Sequence, residues 1–116
     1  MGLRKRSTVT ERKLRGLEEL ESGWHYGEGV PLGDSILDDA ISLNREATNL
    51  GFSETDAFPG TDGEVMLTIY FDDHYLEFTL EPNGNVTFHQ EKGDEEIAYQ
   101  EGLSLQDAKA KIAENG

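Results

Sequence analysis

Residues 64–100 read EVMLTIYFDDHYLEFTLEPNGNVTFHQEKGDEEIAYQ, and this stretch decides the fold. Its apolar residues recur at every second position, the period of a strand with one buried face. Over residues 64–71 that rule puts Val65, Leu67, Ile69 and Phe71 inward. Asp72-Asp73-His74 makes a tight turn, and residues 75–81 turn Leu76, Phe78 and Leu80 the same way. Pro82-Asn83-Gly84 has hairpin-turn chemistry. Residues 85–91 place Val86 and Phe88 inward. A second turn at Lys92-Gly93-Asp94 leads to residues 95–100, with Ile97 and Tyr99 inward. The expectation is a four-stranded antiparallel meander with one apolar face.

Outside the meander the period is helical. In residues 35–50, Ile36, Ala40, Leu43, Ala47 and Leu50 recur at spacings of four and three, widened by Leu37 and Ile41. Asp34 or Ser35 is expected to cap this helix, and Gly51 to end it in the left-handed conformation. Residues 7–22 carry a narrower stripe of Leu14, Leu17 and Leu20, with Ser7 or Thr8 as cap. Its basic half precedes its acidic half, against the helix dipole, so its first turns are expected to fray. Ser104-Leu-Gln-Asp107 resembles a capping box and opens a last helix with Leu105, Ala108 and Ile112 on its apolar side. The fold class is α+β: two N-terminal helices, a four-stranded meander and a C-terminal helix, with the helices on one face of the sheet.

Charge divides the chain. Residues 1–15 carry a net +5 and residues 16–116 a net −19, for a total of −14. The domain reading is a basic N-terminal arm over 1–15 and a single acidic α+β domain over 16–116. So acidic a body repels phosphate and attracts basic surfaces, which favours a basic protein partner over direct nucleic-acid binding by the body. The basic segment is too short for a helix-turn-helix module. No run is long enough to span a membrane, and no membrane partner is expected. Arg4-Lys5-Arg6 is not followed by an apolar stretch, as a secretory signal would require, so a cytoplasmic location is the expectation. With no cysteine, disulfides, thiolate metal sites and cysteine nucleophiles are excluded.

The face opposite the apolar set is acidic and hydroxyl-rich. By alternation it carries Met66, Thr68, Tyr70, Tyr75, Glu77, Thr79, Glu81, Thr87, His89, Glu91, Glu96 and Ala98. One reading is an ordinary solvated face. The other is a binding surface with tyrosines as anchors and carboxylates as steering charges. An RNA-binding sheet would surround its aromatics with cations, and these are missing.

Other constellations carry less chemistry. Asp72-Asp73-His74 has ligand types suited to a divalent cation, but adjacent residues at a hairpin tip seldom aim at one ion. Trp24-His25-Tyr26 reads either as a stacking patch or as an anchor for the glycine-rich loop 22–33. His25 and His89 lack a matched nucleophile. Gly27-Glu28-Gly29 follows a helix, not a strand, and is no dinucleotide motif. Asp56, Asp62 and Glu64 flank the turn Phe58-Pro59-Gly60 without EF-hand spacing.

Gly23-Trp24-His25-Tyr26-Gly27-Glu28-Gly29-Val30-Pro31, a helix, then Ala57-Phe58-Pro59-Gly60-Thr61-Asp62-Gly63-Glu64 and a meander form a combined pattern. It resembles a class of small, largely uncharacterised bacterial proteins with a Gly-Trp…Gly…Pro loop and a Phe-Pro-Gly-x-Asp-Gly-Glu lead-in to a sheet. The resemblance covers roughly residues 20–100. It implies that the Trp24 loop and the Pro59-Gly60 turn are framework features, and it transfers no site residue. Such proteins are reminiscent of small cargo genes of mobile elements, among which antitoxins and defence inhibitors are frequent.

The functional expectation is a non-enzymatic acidic module, without cofactor or metal, that occupies the basic surface of a nucleic-acid-handling protein as an inhibitor or antitoxin. Clustered carboxylates would act as a nucleic-acid mimic. The partner-binding residues are Tyr70, Tyr75, Glu77 and Glu81, with Glu95 and Glu96 nearby. One alternative is a structural protein or homodimer whose basic arm docks on an acidic neighbour. Another is a small metal-dependent enzyme or binder built around His25, His74 or His89.

Overall fold

The computed structural model describes residues 8–116. Arg4, Lys5, Arg6 and the candidate cap Ser7 lie outside the described residues. The elements run α1 (Val9–Gly16), a single 3-10 turn (Leu17–Glu19), α2 (Asp34–Asn49), β1 (Glu54–Pro59), β2 (Val65–Phe71), β3 (His74–Leu80), β4 (Val86–Lys92), β5 (Glu95–Leu103) and α3 (Leu105–Glu114). The class is α+β, and the strands form one antiparallel sheet in sequence order.

The sheet has five strands rather than four. Glu54–Pro59 pairs with β2, Ala57 opposite Leu67 and Phe58 opposite Met66. This strand carries no alternating apolar set; only Ala57 is buried, and its last two residues, Phe58 and Pro59, fall in the stretch whose composition reads as a turn. The inner faces of β2, β3 and β4 follow the alternation. Val65, Leu67, Ile69, Leu76, Phe78, Leu80, Val86 and Phe88 are all buried. Phe78 and Phe88 face each other across β3 and β4 with ring centroids 5.1 Å apart.

β5 departs from the expectation that Ile97 and Tyr99 point inward. Both are about half exposed, at 50% and 54%. From the hairpin outward the pairs are Lys92 with Glu95 and Glu91 with Glu96, but then Gln90 with Ala98. One extra residue, Ile97, sits in a bulge. A one-residue slip exchanges the two faces of a strand. Ala98 therefore packs against the core and Tyr99 stands opposite His89 on the open face. Without the bulge, Tyr99 would lie beside Phe88.

α2 supplies the main helical surface, burying Ile36, Leu37, Ala40, Ile41, Leu43, Asn44 and Ala47. Its N-cap is Gly33, which makes no side-chain cap bond, rather than Asp34 or Ser35. Gly51 ends it at φ +101°, as expected. The Gly51 N–H reaches Thr48 O (3.1 Å) and the Phe52 N–H reaches Ala47 O (3.0 Å), a Schellman closure that also buries Phe52. In α3, Ser104 and Asp107 form the full reciprocal capping box, and Ala108 and Ile112 are buried.

The first helix is shorter than residues 7–22, and the difference reverses its electrostatics. It is capped by Thr8 and stops at Gly16, so Glu11 falls in the first turn and Lys13 and Arg15 in the last. That order suits the dipole. The helix is docked on the body. Leu14 is fully buried, Thr10 donates to Thr55 O at 2.7 Å, and Lys13 pairs with Asp56 at 2.9 Å. Glu11 is 4% exposed. Its carboxylate takes Arg45 on both oxygens, at 2.8 and 3.0 Å, and Arg15 at 3.0 Å.

Candidate protein-binding face

The antiparallel register stacks every second residue into rows that cross the open face of the sheet. One row runs Glu54, Tyr70, Tyr75, Glu91, Glu96, and the next runs Asp56, Thr68, Glu77, His89, Tyr99. The two rows bring four rings into a chain. Tyr70 and Tyr75 are 5.3 Å apart by ring centroid, Tyr75 and His89 are 6.5 Å apart, and His89 and Tyr99 are 6.5 Å apart. The latter two contacts are edge-on, a favourable arrangement for aromatic quadrupoles.

Carboxylates hold the ring chain. The Tyr75 hydroxyl donates to Glu77 Oε2, and the Tyr99 hydroxyl donates to Glu101 Oε1 at 2.7 Å. Partial burial, then the Glu77 hydrogen bond and charge, raise the Tyr75 phenol well above its ordinary value, with Tyr70 and Glu91 adding to it. The Glu101 hydrogen bond comes first for Tyr99, whose phenol is also raised; the charges of Glu96 and Glu81 act in the same direction. Both phenols therefore stay neutral donors through the physiological range.

His89 is the centre of this face. Its Nε2 is shielded from solvent and meets no hydrogen-bond partner among the described residues. Glu91 Oε1 lies 3.7 Å away and Glu96 Oε1 3.8 Å away, beyond hydrogen-bond length.

Of the residues read from the sequence, Tyr75, Glu77 and Glu96 lie beside His89, Tyr70 joins them through Tyr75, and Glu81 stands near enough to Tyr99 to influence its phenol. Glu95 sits apart, opposite Lys92 at the β4–β5 hairpin. Thr68 is on this side but 1% exposed, its hydroxyl bonded to Asp56 O at 3.3 Å. Tyr99 and Glu101 were missed, because the bulge that turns Tyr99 outward leaves no mark in the alternation.

The other constellations resolve as structure. His74 stacks on Phe71 at 4.7 Å and takes Gln90 Nε2 at Nδ1 (3.0 Å), while Asp72 occupies the left-handed turn position at φ +51°. Among the described residues no three His, Asp or Glu side chains converge as a metal site would require. Trp24 anchors its own loop by donating Nε1–H to Val30 O at 2.9 Å. A Cβ at Gly29 would lie 2.6 Å from that nitrogen. The Val30 N–H in turn reaches Thr61 O at 3.1 Å, joining this loop to the turn after β1. At that turn Glu64 folds over Gly60 and accepts the Asp62 N–H at 3.1 Å. No helix among the described residues is long and apolar enough to cross a membrane.

No protein family, curated protein or solved structure matches the chain.

Proposed function

We propose that this chain is a non-enzymatic module that binds a basic protein surface through the open face of its sheet. The observation that supports this reading is the ring chain Tyr70–Tyr75–His89–Tyr99, set among Glu77, Glu91, Glu96 and Glu101. Tyrosines fixed by hydrogen bonds are rigid, amphipathic anchors, and they lose little freedom on binding. Surrounding carboxylates steer a cationic partner and accept its lysines and arginines. A guanidinium over a tyrosine ring gains further attraction from the ring quadrupole.

In its most specific form the module is an inhibitor or antitoxin whose carboxylates take the place of phosphates on a nucleic-acid-handling protein. The alternative of a basic arm docking on a neighbour is less favoured for the part of that arm in view. Lys13 and Arg15 are paired with Asp56 and Glu11 of their own chain.

Affinity capture from lysate of expressing cells, read by mass spectrometry at low and moderate salt, tests the reading. A basic protein retained at low salt and released as salt rises supports it. Capture that does not respond to salt, or selects no basic protein, contradicts it.

A further inference from the structure

The sheet has two edges, and they are built differently. β1 is blunted against further pairing at three positions. Thr10 of α1 is bonded to Thr55 O, the Asp56 carboxylate turns back onto the Ala57 N–H at 2.8 Å, and Pro59 has no N–H to offer. These are the devices by which proteins blunt a strand edge. β5 is the longest strand, at nine residues, and its burial pattern leaves all but Ala98 and Leu103 exposed. Its register with β4 shifts at Ile97 and again between Gln100 and Leu103, so Ala98–Gln100 is its unbroken stretch, and among the described residues no helix or side chain is seen bonded to the outer main chain of that stretch. An uncapped edge strand presents a row of main-chain donors and acceptors ready for another strand.

We infer that the β5 edge receives an extended, basic segment of a partner protein as a sixth strand. In this mode the main chain supplies affinity and alternate side chains supply selectivity. The acceptor strand offers both. Ile97 and Tyr99 are exposed apolar contacts, while Glu95, Glu96 and Glu101 supply negative charge without a cation in the strand. The same charges argue against a second copy as occupant. Pairing β5 with itself would bring like charges together, which is destabilising across strands, whereas alternating lysines or arginines on an incoming strand would face them favourably. Because β5 borders the open face at Tyr99, a strand added there would lengthen each row of that face by one residue. The inference rests on the proposed reading for the sign of the partner, and adds the mode of contact.

The test uses the full chain, labelled with nitrogen-15, and three synthetic nine-residue peptides. One alternates lysine with valine, one alternates glutamate with valine, and one keeps the lysines but replaces the valines with proline. Amide exchange is read along residues 95–103 with and without each peptide. The expected result is at least tenfold slowing at alternate β5 amides with the lysine–valine peptide alone, and at least tenfold weaker binding of that peptide by the Glu96→Lys/Glu101→Lys variant. Three results would overturn the inference: no slowing on β5, equal binding of the proline peptide, or slowing without peptide that depends on protein concentration. If β5 amides do not respond while open-face substitutions still abolish partner capture, edge pairing fails and the face reading stands.

Discussion

Tyr99 stands opposite His89 across β4 and β5, on the open side of the sheet, because a single extra residue at Ile97 shifts the register. The slip removes Tyr99 from the core and adds it to the ring chain. Stability measurements should separate these two roles. Tyr99→Ala is expected to change unfolding free energy by no more than about 0.5 kcal/mol, as for other exposed positions. Phe78→Ala, at a fully buried site on the inner face, should cost about 3–5 kcal/mol. Denaturant titration of the two variants checks the register, and a large loss at Tyr99 would place its ring back in the core.

Glu11 is the buried centre of the contact between α1 and α2, with Arg45 bidentate and Arg15 beside it. Arg45→Ala removes the bidentate cation from a buried carboxylate. A fully buried pair broken in this way loses about 3–5 kcal/mol; Arg45 is half exposed, so a loss of about 1–2 kcal/mol is expected after solvent screening. Thermal unfolding should show the drop, and α1 amides should exchange faster than those of α2.

Asp56 gives the fold an acid-sensitive contact. Burial would raise its carboxyl, but the Lys13 ammonium and the Ala57 N–H outweigh burial and hold it below the usual value. A depressed carboxylate contributes stability that is present above its unfolded-state value and is lost as pH falls through its folded-state value. Asp56→Asn should therefore be less stable than the parent at pH 7. The gap should close as the pH drops below the ordinary aspartate range, near 4. Unfolding midpoints measured from pH 7 to pH 2 would show whether the two curves converge.

Gly29 touches the Trp24 indole, whereas Gly27 has open space where a Cβ would go. Both have positive φ, +101° and +88°, so alanine at either site carries a left-handed backbone penalty of about 1–2 kcal/mol. Gly29→Ala adds a clash with Trp24 Nε1 and breaks the bond to Val30 O. Trp24 is the sole tryptophan. Its fluorescence should shift to the red in Gly29→Ala and remain near the parent spectrum in Gly27→Ala.

The sequence made some of this architecture legible and hid the rest for identifiable reasons. β2, β3 and β4 and the long helix α2 carry clean periods, because each buries one continuous face. Their alternation also placed Tyr70, Tyr75 and Glu77 on the open side. β1 was hidden because a strand lying over α1 needs only Ala57 inside and ends at a proline. β5 departs from its alternation because alternation fixes which residues share a face only while the register is unbroken. The bulge depends on pairing with β4, a tertiary event with no local signature. The dipole-aligned α1 was hidden by the same kind of error, since extending the helix past Gly16 counted Glu18, Glu19 and Glu21 as its C-terminal half.

Net charge alone attracts cations, whereas the proposed contact is carried by one face of the sheet and not by the charge of the whole chain. The most direct measurement compares the affinity of a captured basic partner for three forms of the chain at fixed salt. Glu77→Lys/Glu81→Lys reverses charge on the open face, and Asp38→Lys/Glu46→Lys makes the same change in net charge on α2. Open-face reversal is expected to weaken binding at least tenfold, and reversal on α2 to leave it within about twofold, because a screened charge far from the contact contributes little. Equal effects from the two variants would contradict a face-specific contact and reduce the acidity of the chain to a general attraction.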